Sequence, residues 1–359
     1  MELGSYFELD ISSLFQTEDN LFLYLSSYNS IYMDSGRSAT AVLNKVLKQG
    51  TILLPSYICE SVINVYKKWF TIRFYKINKD FSVDIKDFEK KLKEGAAIVY
   101  IMHYFGQLQD KDFLEYLLKK RTECGFVIIE DTTHSVFTKA RTVGDYCVCS
   151  LRKWFPIMDG GVLYSEKPLS AIVGQGIPHK NPSEKLNAMI LKHLHIEGKL
   201  DCNRLYRKIF MDEEDKLDSQ KEVYYMSDLS KCLLSYFSVS ELMEKRKRNY
   251  QELDNIMKGI GVKGALEGEE FVPLCYPMYI ENRDEFRKYL IDRQVYCAVH
   301  WPLENLESEQ NGIDLKWDDT AIQMSRNIIS LPIDQRYDKK HMQYLGSLIK
   351  DYVERECQK

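Results

Sequence analysis

Apolar positions fall into two kinds of run over the first two-thirds of the chain. Short, nearly unbroken runs are TILLP (Thr51 to Pro55), TIRFYKI (Thr71 to Ile77), AAIVYIM (Ala96 to Met102), FVIIED (Phe126 to Asp131), YCVCS (Tyr146 to Ser150) and GVLYS (Gly161 to Ser165). Their length and their β-branched and aromatic content predict strands buried on both faces. Longer runs with apolar residues at helical spacing separate them: Ala39 to Lys48, Ile58 to Lys68, Ile85 to Lys93 and Phe113 to Cys124. Strand and helix in alternation predict an α/β fold, with a mainly parallel mixed sheet flanked by helices.

The pattern changes near residue 180. Lys185 to Arg207 and Met226 to Met257 predict long helices, and the basic run Glu244 to Arg248 reads as a solvated helix face. From Phe271, short strands (FVPLCYPMYI, VYCAVHW) alternate with helices over Arg283 to Arg293 and Lys339 to Glu354. We therefore expect a large domain over residues 1–225 and a smaller C-terminal α/β domain over residues 226–359. The second would begin with a long connecting helix.

Composition narrows the function classes. The chain carries 49 Lys+Arg against 53 Asp+Glu, a formal net charge of −4, which leaves no electrostatic footprint for nucleic acid or an anionic membrane. The longest apolar run, Ala96 to Met102, is too short to span a bilayer. The opening MELGSYFELD has no basic segment followed by an apolar one, so no secretory leader is expected. The nine cysteines include no CxxC pair and no His/Cys group at zinc spacing. That pattern predicts reduced thiols in a cytoplasmic protein, and no metal site.

Four loops sit where open α/β sheets place ligands. Ser35-Gly36-Arg37-Ser38 precedes a helix and could seat a phosphate on free N–H groups, with Arg37 adding charge; a plain Ser/Asp N-cap is the commoner explanation. Asp131 ends a buried strand and could bond a protonated heterocyclic nitrogen, or simply cap a turn. His134 follows as a polar contact or a packed histidine. Ser150-x-x-Lys153 beside aromatics, followed by Asp159-Gly160-Gly161, could hold a desolvated lysine suited to Schiff-base chemistry; a solvated basic pair is the plainer reading. His300-Trp301 in the last third is either a loop facing the cleft or a strand end.

The order of these signals carries more than any one of them. Phosphate loop, strand-end Asp, then Ser-x-x-Lys before Asp-Gly-Gly resembles the DegT/DnrJ/StrS family of sugar aminotransferases, within the aspartate-aminotransferase-like fold type I. SGRSA is similar to the family's Ser-Gly-Thr-x-Ala, MHYFGQLQD to its His-aromatic-x-Gly-x-x-x-Asp, and VIIEDTTHS to its Val-Ile-Glu-Asp-x-Ala-Gln/His. Tyr225-Met226-Ser227-Asp228-Leu229, VHWPL and Ser330-Leu331-Pro332 also match in order.

The resemblance implies pyridoxal 5'-phosphate as cofactor, and a small-molecule amino donor (glutamate) and keto acceptor, the latter on a nucleotide-linked sugar. It implies Lys153 as the residue that binds the cofactor aldehyde and moves the proton, and Asp131 as partner of the ring nitrogen. His134 would contact the ring hydroxyl, while Gly36, Arg37, Ser38 and Ser150 would hold the phosphate. His300 and Trp301 would meet substrate. A homodimer with active sites at the interface is implied too, with GQGIPHKNP (Gly174 to Pro182) as the candidate partner-subunit loop.

Three departures stand out. Arg37 replaces the usual Thr, and only two residues separate Ser150 from Lys153. Cys59 falls where an aromatic usually stacks on the ring, so Tyr57 or His103 would have to serve. The altered phosphate loop and the missing aromatic motivate one alternative, a degenerate cofactor-binding or regulatory member; another is a sugar dehydratase or other chemistry at the same cofactor. The family's dehydratases put His where Lys153 stands.

Overall fold

The alternating runs assemble into a seven-stranded mixed sheet in the computed structural model, which describes residues 2–138, 142–178, 182–268, 270–303 and 319–356. After a two-residue strand β1 (Leu3–Gly4) come β2 (Asn29–Met33), β3 (Thr51–Pro55), β4 (Thr71–Tyr75), β5 (Ile98–Met102), β6 (Val127–Asp131), β7 (Tyr146–Ser150) and β8 (Gly161–Ser165). Their spatial order is β2-β8-β7-β6-β5-β3-β4. The pairs from β4 through to β7 are parallel. The strand β8 runs antiparallel to both β7 and β2. All six predicted strands are present within two residues at each end. The unpredicted β2 is an edge strand with Asn29 exposed, and its NSIYM lacks the apolar run that marks a strand buried on both faces.

Helices cover both faces and divide the apolar side chains into two large clusters. One collects residues such as Leu53, Tyr100, Ile101 and Phe113. The other contains Cys149, Trp154, Val162 and Tyr206.

Two of the long predicted helices are interrupted. Ser183–Ile196 and Asn203–Asp218 replace one helix, because Gly198 adopts φ 69 and turns the chain. Asp228–Leu234 and Val239–Gly259 replace the other, and the second restarts where Ser238 Oγ accepts the Glu241 N–H at 3.1 Å. Within that restarted helix Arg246 is only 1% exposed, so the basic run is not wholly a solvated face.

In the last third, β9 (Tyr276–Tyr279) pairs antiparallel with β11 (Ile328–Leu331), while β10 (Val295–Tyr296) pairs parallel with β1. The expected strand from Phe271 is shorter than its apolar run, since the Val272 and Leu274 N–H groups bond to Thr138 Oγ1 and Phe105 O and not to a ladder partner. A third cluster, including Met257, Phe286 and Leu345, also takes in Leu3. The first residues of the chain thus pack with its last third.

Candidate active site

The strands β3, β5, β6 and β7 are parallel, so their C-terminal ends share one edge of the sheet, where α/β folds place ligands. Side-chain alternation along β6 separates two neighbouring acids. Glu130 turns to one face, where it accepts His103 Nε2 at 3.0 Å and the Val143 and Gly144 N–H groups at 2.6 and 2.7 Å. Asp131 turns to the other face. Its Oδ2 accepts the Tyr100 hydroxyl at 2.7 Å and its Oδ1 the Thr133 N–H at 2.8 Å.

One strand over, β7 ends at Ser150 and runs directly into a 3-10 turn, Leu151–Lys153. The short spacing between Ser150 and Lys153 is that single turn. Lys153 Nζ lies 2.9 Å from His134 Nε2 and 5.8 Å from the centre of the Trp301 ring. Burial pushes the Lys153 pKa down, partly offset by Cys59 and Asp131. His134 is fully buried, and burial together with Lys153 and His300 holds its pKa well below the usual histidine value.

The opposite end of the site forms where Gly36 opens the helix Gly36–Ala41. Ser35 Oγ accepts the Ser38 N–H at 3.1 Å, which leaves the first helical N–H groups at the open end. A Cβ on Gly36 would lie 2.9 Å from Ser150 Cβ, and one on Gly161 would lie 2.2 Å from the Ser35 carbonyl. Only glycine permits this stacking of the two loops.

Between these ends lies a cavity of 220 Å³ lined by Gly36, Arg37, Ser150, Arg152, Tyr100, Asp131, Lys153, Cys59 and Trp301, among others. On another side of Lys153 opens a cavity of 590 Å³, lined by His300, Arg246 and the N-terminal residues Gly4 to Phe7. Gly36, Asp131, Ser150 and Lys153 are therefore brought to one place, with His134 bonded to Lys153 and His300 packed 5.3 Å from His134.

Other expected residues are turned away from the cavity or stand behind it. Arg37 lines the cavity, but its guanidinium points to the end of the helix Asn203–Asp218, donating to Leu217 O at 2.5 Å and Asp218 Oδ1 at 2.7 Å. Its Nε is buried without a partner. Ser38 is buried behind Ser35 and does not line the cavity. Tyr57 packs behind Trp301, 5.4 Å between ring centres, and also stays off the cavity wall. His103 is committed to Glu130 and to the Gln109 N–H on the far face. Neither residue reaches the position that Cys59 occupies. Of the segment Gly174 to Pro182, residues 179–181 lie outside the described residues.

The sequence reading missed three groups. Tyr100 serves Asp131, and its signal was a lone hydroxyl inside an otherwise apolar strand. Arg246 lies 4.5 Å over the Trp154 ring and donates to the carbonyls of Leu274 at 2.7 Å and Lys153 at 3.4 Å, and to Gln335 Oε1 at 2.9 Å. Glu214 accepts both Arg152 Nη1 at 2.6 Å and Lys185 Nζ at 2.7 Å. Burial alone would raise its pKa, but the two cations hold it down to about 2. Among the described residues, no group of three or more His, Cys, Asp or Glu side chains is placed to hold a metal ion.

No family model matches the sequence, and no curated protein matches it. Solved structures do match in fold. A DegT DnrJ EryC1 StrS aminotransferase from Brucella abortus is 15% identical with a TM-score of 0.63, covering 92% of this chain and 88% of that one. The putative sugar aminotransferase Spr1654 from Streptococcus pneumoniae, in its PLP form, is 15% identical with a TM-score of 0.64, covering 98% and 93%. GDP-4-keto-6-deoxymannose-3-dehydratase (ColD) is 14% identical with a TM-score of 0.67, covering 91% and 89%. Over nearly its whole length, the chain has the fold type I architecture shared by the DegT/DnrJ/EryC1/StrS aminotransferases.

Proposed function

We propose that this protein is a pyridoxal 5'-phosphate-dependent aminotransferase that moves an amino group from an amino acid, glutamate, to a keto group of a nucleotide-linked sugar. One observation carries the reading: Lys153 and Asp131 face a single cavity whose other end is the Gly36–Ser150 contact. Amine, carboxylate and glycine cradle are the three groups such a cofactor needs.

The residues fit the cofactor. Gly36 and Ser150, with N–H and hydroxyl donors, would hold the phosphate, and Arg152 lines the same cavity. Each Asp131 oxygen keeps a lone pair beyond those used by Tyr100 and Thr133, enough to accept from a protonated ring nitrogen. When bound, the cofactor supplies an electron sink for the electrons of the donor's Cα–H bond. Lys153 Nζ would be the group that takes up and carries that proton. Trp301 lines this cavity and His300 the neighbouring one, so each stands beside Lys153.

We further propose a homodimer in the cytoplasm, with the division into domains near residue 225. Support for the compartment is that the described cysteines are all free. No described helix is long and apolar enough to cross a membrane.

The fold alone does not separate transamination from sugar dehydration, since a dehydratase matches as well as the aminotransferases. Lys153 favours transamination, because a lysine can both hold the cofactor and carry the proton. Glutamate added to the cofactor-loaded protein tests this. We expect loss of the visible absorbance and one equivalent of 2-oxoglutarate, followed by amine formation with a nucleotide-linked keto sugar. Water loss from such a sugar without an amine would overturn the reading in favour of the dehydratase.

A further inference from the structure

We propose that His134 is a positioning residue for Lys153: held as its Nε2–H tautomer, it donates to the lysine lone pair and presents the amine to the cavity as a free base. The inference rests on the reading of Lys153 as the cofactor-binding lysine.

The argument is one of donors and acceptors. The backbone N–H of Phe105 donates to His134 Nδ1 at 3.3 Å. A neutral imidazole has one donor nitrogen and one acceptor. With Nδ1 accepting, the ring proton is on Nε2, and that atom lies 2.9 Å from Lys153 Nζ. Two N–H groups cannot face each other at that distance. Lys153 must therefore offer a lone pair, which the amine has and the ammonium lacks. A protonated imidazole would set a second N–H against that of Phe105, so the ring is neutral as well.

The ring has little freedom to choose otherwise. Trp301 stacks on it with ring centres 5.5 Å apart and planes at 19°. Phe105 lies 5.2 Å away on its own side, and His300 meets it edge-on at 5.3 Å. The titratable groups that surround Lys153 are Asp131, Cys59, Cys149, Cys275, His134 and His300. Of these Cys59 and Asp131, then Cys275 and Cys149, oppose a neutral amine, and burial outweighs them. Burial lowers the pKa of both Lys153 and His134, in line with a neutral pair. The functional consequence is direct, since an amine attacks a carbonyl only with its lone pair free.

Glutamine separates the hydrogen-bond role from titration. Its Oε1 can accept the Phe105 N–H while its Nε2 donates to Lys153, in the same sense as the histidine but with no proton to lose. Methionine fills similar space and can do neither.

The test uses the protein without cofactor or substrate, so its result does not depend on which reaction is catalysed. Wild type, His134→Gln and His134→Met are labelled with acetic anhydride across a pH series, and Lys153 acetylation is read by peptide mass spectrometry. Wild type and His134→Gln should share one midpoint, below the ordinary lysine range. In His134→Met the midpoint should rise by about one pH unit, a roughly tenfold drop in labelling near neutrality. Lys185, whose pKa burial and Arg152 lower to about 8, serves as an internal control that should not move. An unchanged midpoint in His134→Met, or a His134→Gln that behaves like it, would overturn the proposal. A second measurement covers the case in which His134→Met does not fold. The ¹⁵N spectrum of histidine-labelled wild type, with His134 assigned by its absence in His134→Gln, should show the proton on Nε2. A proton on Nδ1, or an imidazolium, at neutral pH would overturn the proposal equally. Loss of cofactor chemistry with an intact Lys153 profile would instead count against the function and leave this contact standing.

Discussion

Gly36 lies flush against Ser150, so close that a methyl group on the glycine would meet Cβ of the serine at 2.9 Å and its Cα and N at 3.2 Å. Two of those atoms are backbone, and they cannot swing aside as a flexible side chain could. Gly36→Ala should therefore push the helix start away from β7, at a cost of about 1–3 kcal/mol. Urea unfolding would measure that loss. Cofactor retained after dialysis should fall at least as sharply, because both loops form the phosphate end of the cavity.

The bond from Tyr100 to Asp131 makes a graded prediction. Tyr100→Phe removes one donor from a buried carboxylate and should cost about 1–3 kcal/mol in stability, with glutamate turnover reduced but present. Asp131→Asn keeps the shape and removes the charge that would hold a protonated ring nitrogen. It should slow the glutamate half-reaction at least about a hundredfold, near 3 kcal/mol of barrier. Stopped-flow absorbance on both variants checks the order. Equal effects would mean that the charge of Asp131 is not the operative property.

Arg246 should prove structural and kinetic at once. Arg246→Met leaves the carbonyl of Leu274 and the Gln335 side chain without their guanidinium donor, together with the longer contact to the Lys153 carbonyl. A destabilisation of about 2–4 kcal/mol is expected. Cofactor capture should slow in the same variant, because the Lys153 turn loses its support. Chemical denaturation and the rate of visible-band growth on adding pyridoxal phosphate measure the two effects.

Acid sensitivity should trace in part to Glu214. Against the opposing effect of burial, Arg152 and Lys185 lower its pKa from 4.5 to about 2 in the folded protein. The unfolded chain therefore binds the proton first, and folding stability falls as pH drops from about 4.5 to about 2. Glu214→Gln should flatten the stability curve over that window while lowering stability at neutral pH. Urea midpoints measured across the window would reveal a slope that persists unchanged if the assignment is wrong.

Much of the candidate site is legible in the sequence, and the reason is local. A strand that ends on an acid, a Ser-Gly helix start and a Ser-x-x-Lys turn are each defined by neighbours in sequence, so Asp131, Gly36, Ser150 and Lys153 could be named from motifs. What the motifs could not reveal is which way a side chain turns. Arg37 was expected at the phosphate, yet its guanidinium is drawn to Leu217 and Asp218, 180 residues away or more. Tyr57 and His103 were offered as ring-stacking residues because of their place in the chain, but burial behind Trp301 and the bond to Glu130 decide otherwise. Arg246 was hidden for the opposite reason. It sits in a run of charges that looks solvated, and only the packing of its helix against Trp154 shows that it is buried. The edge strand β2 is not legible because its polar and half-buried positions, Asn29, Ser30 and Tyr32, break up the apolar run and leave only Ile31 and Met33 buried.

The central claim is that Lys153 is the group that binds pyridoxal phosphate. Borohydride reduction of the purified, cofactor-loaded protein, followed by proteolysis and peptide mass spectrometry, tests it directly. The account predicts a single phosphopyridoxyl modification, on Lys153, and none in Lys153→Ala. A modification on another lysine, or a Lys153→Ala protein labelled as fully as wild type, would contradict it.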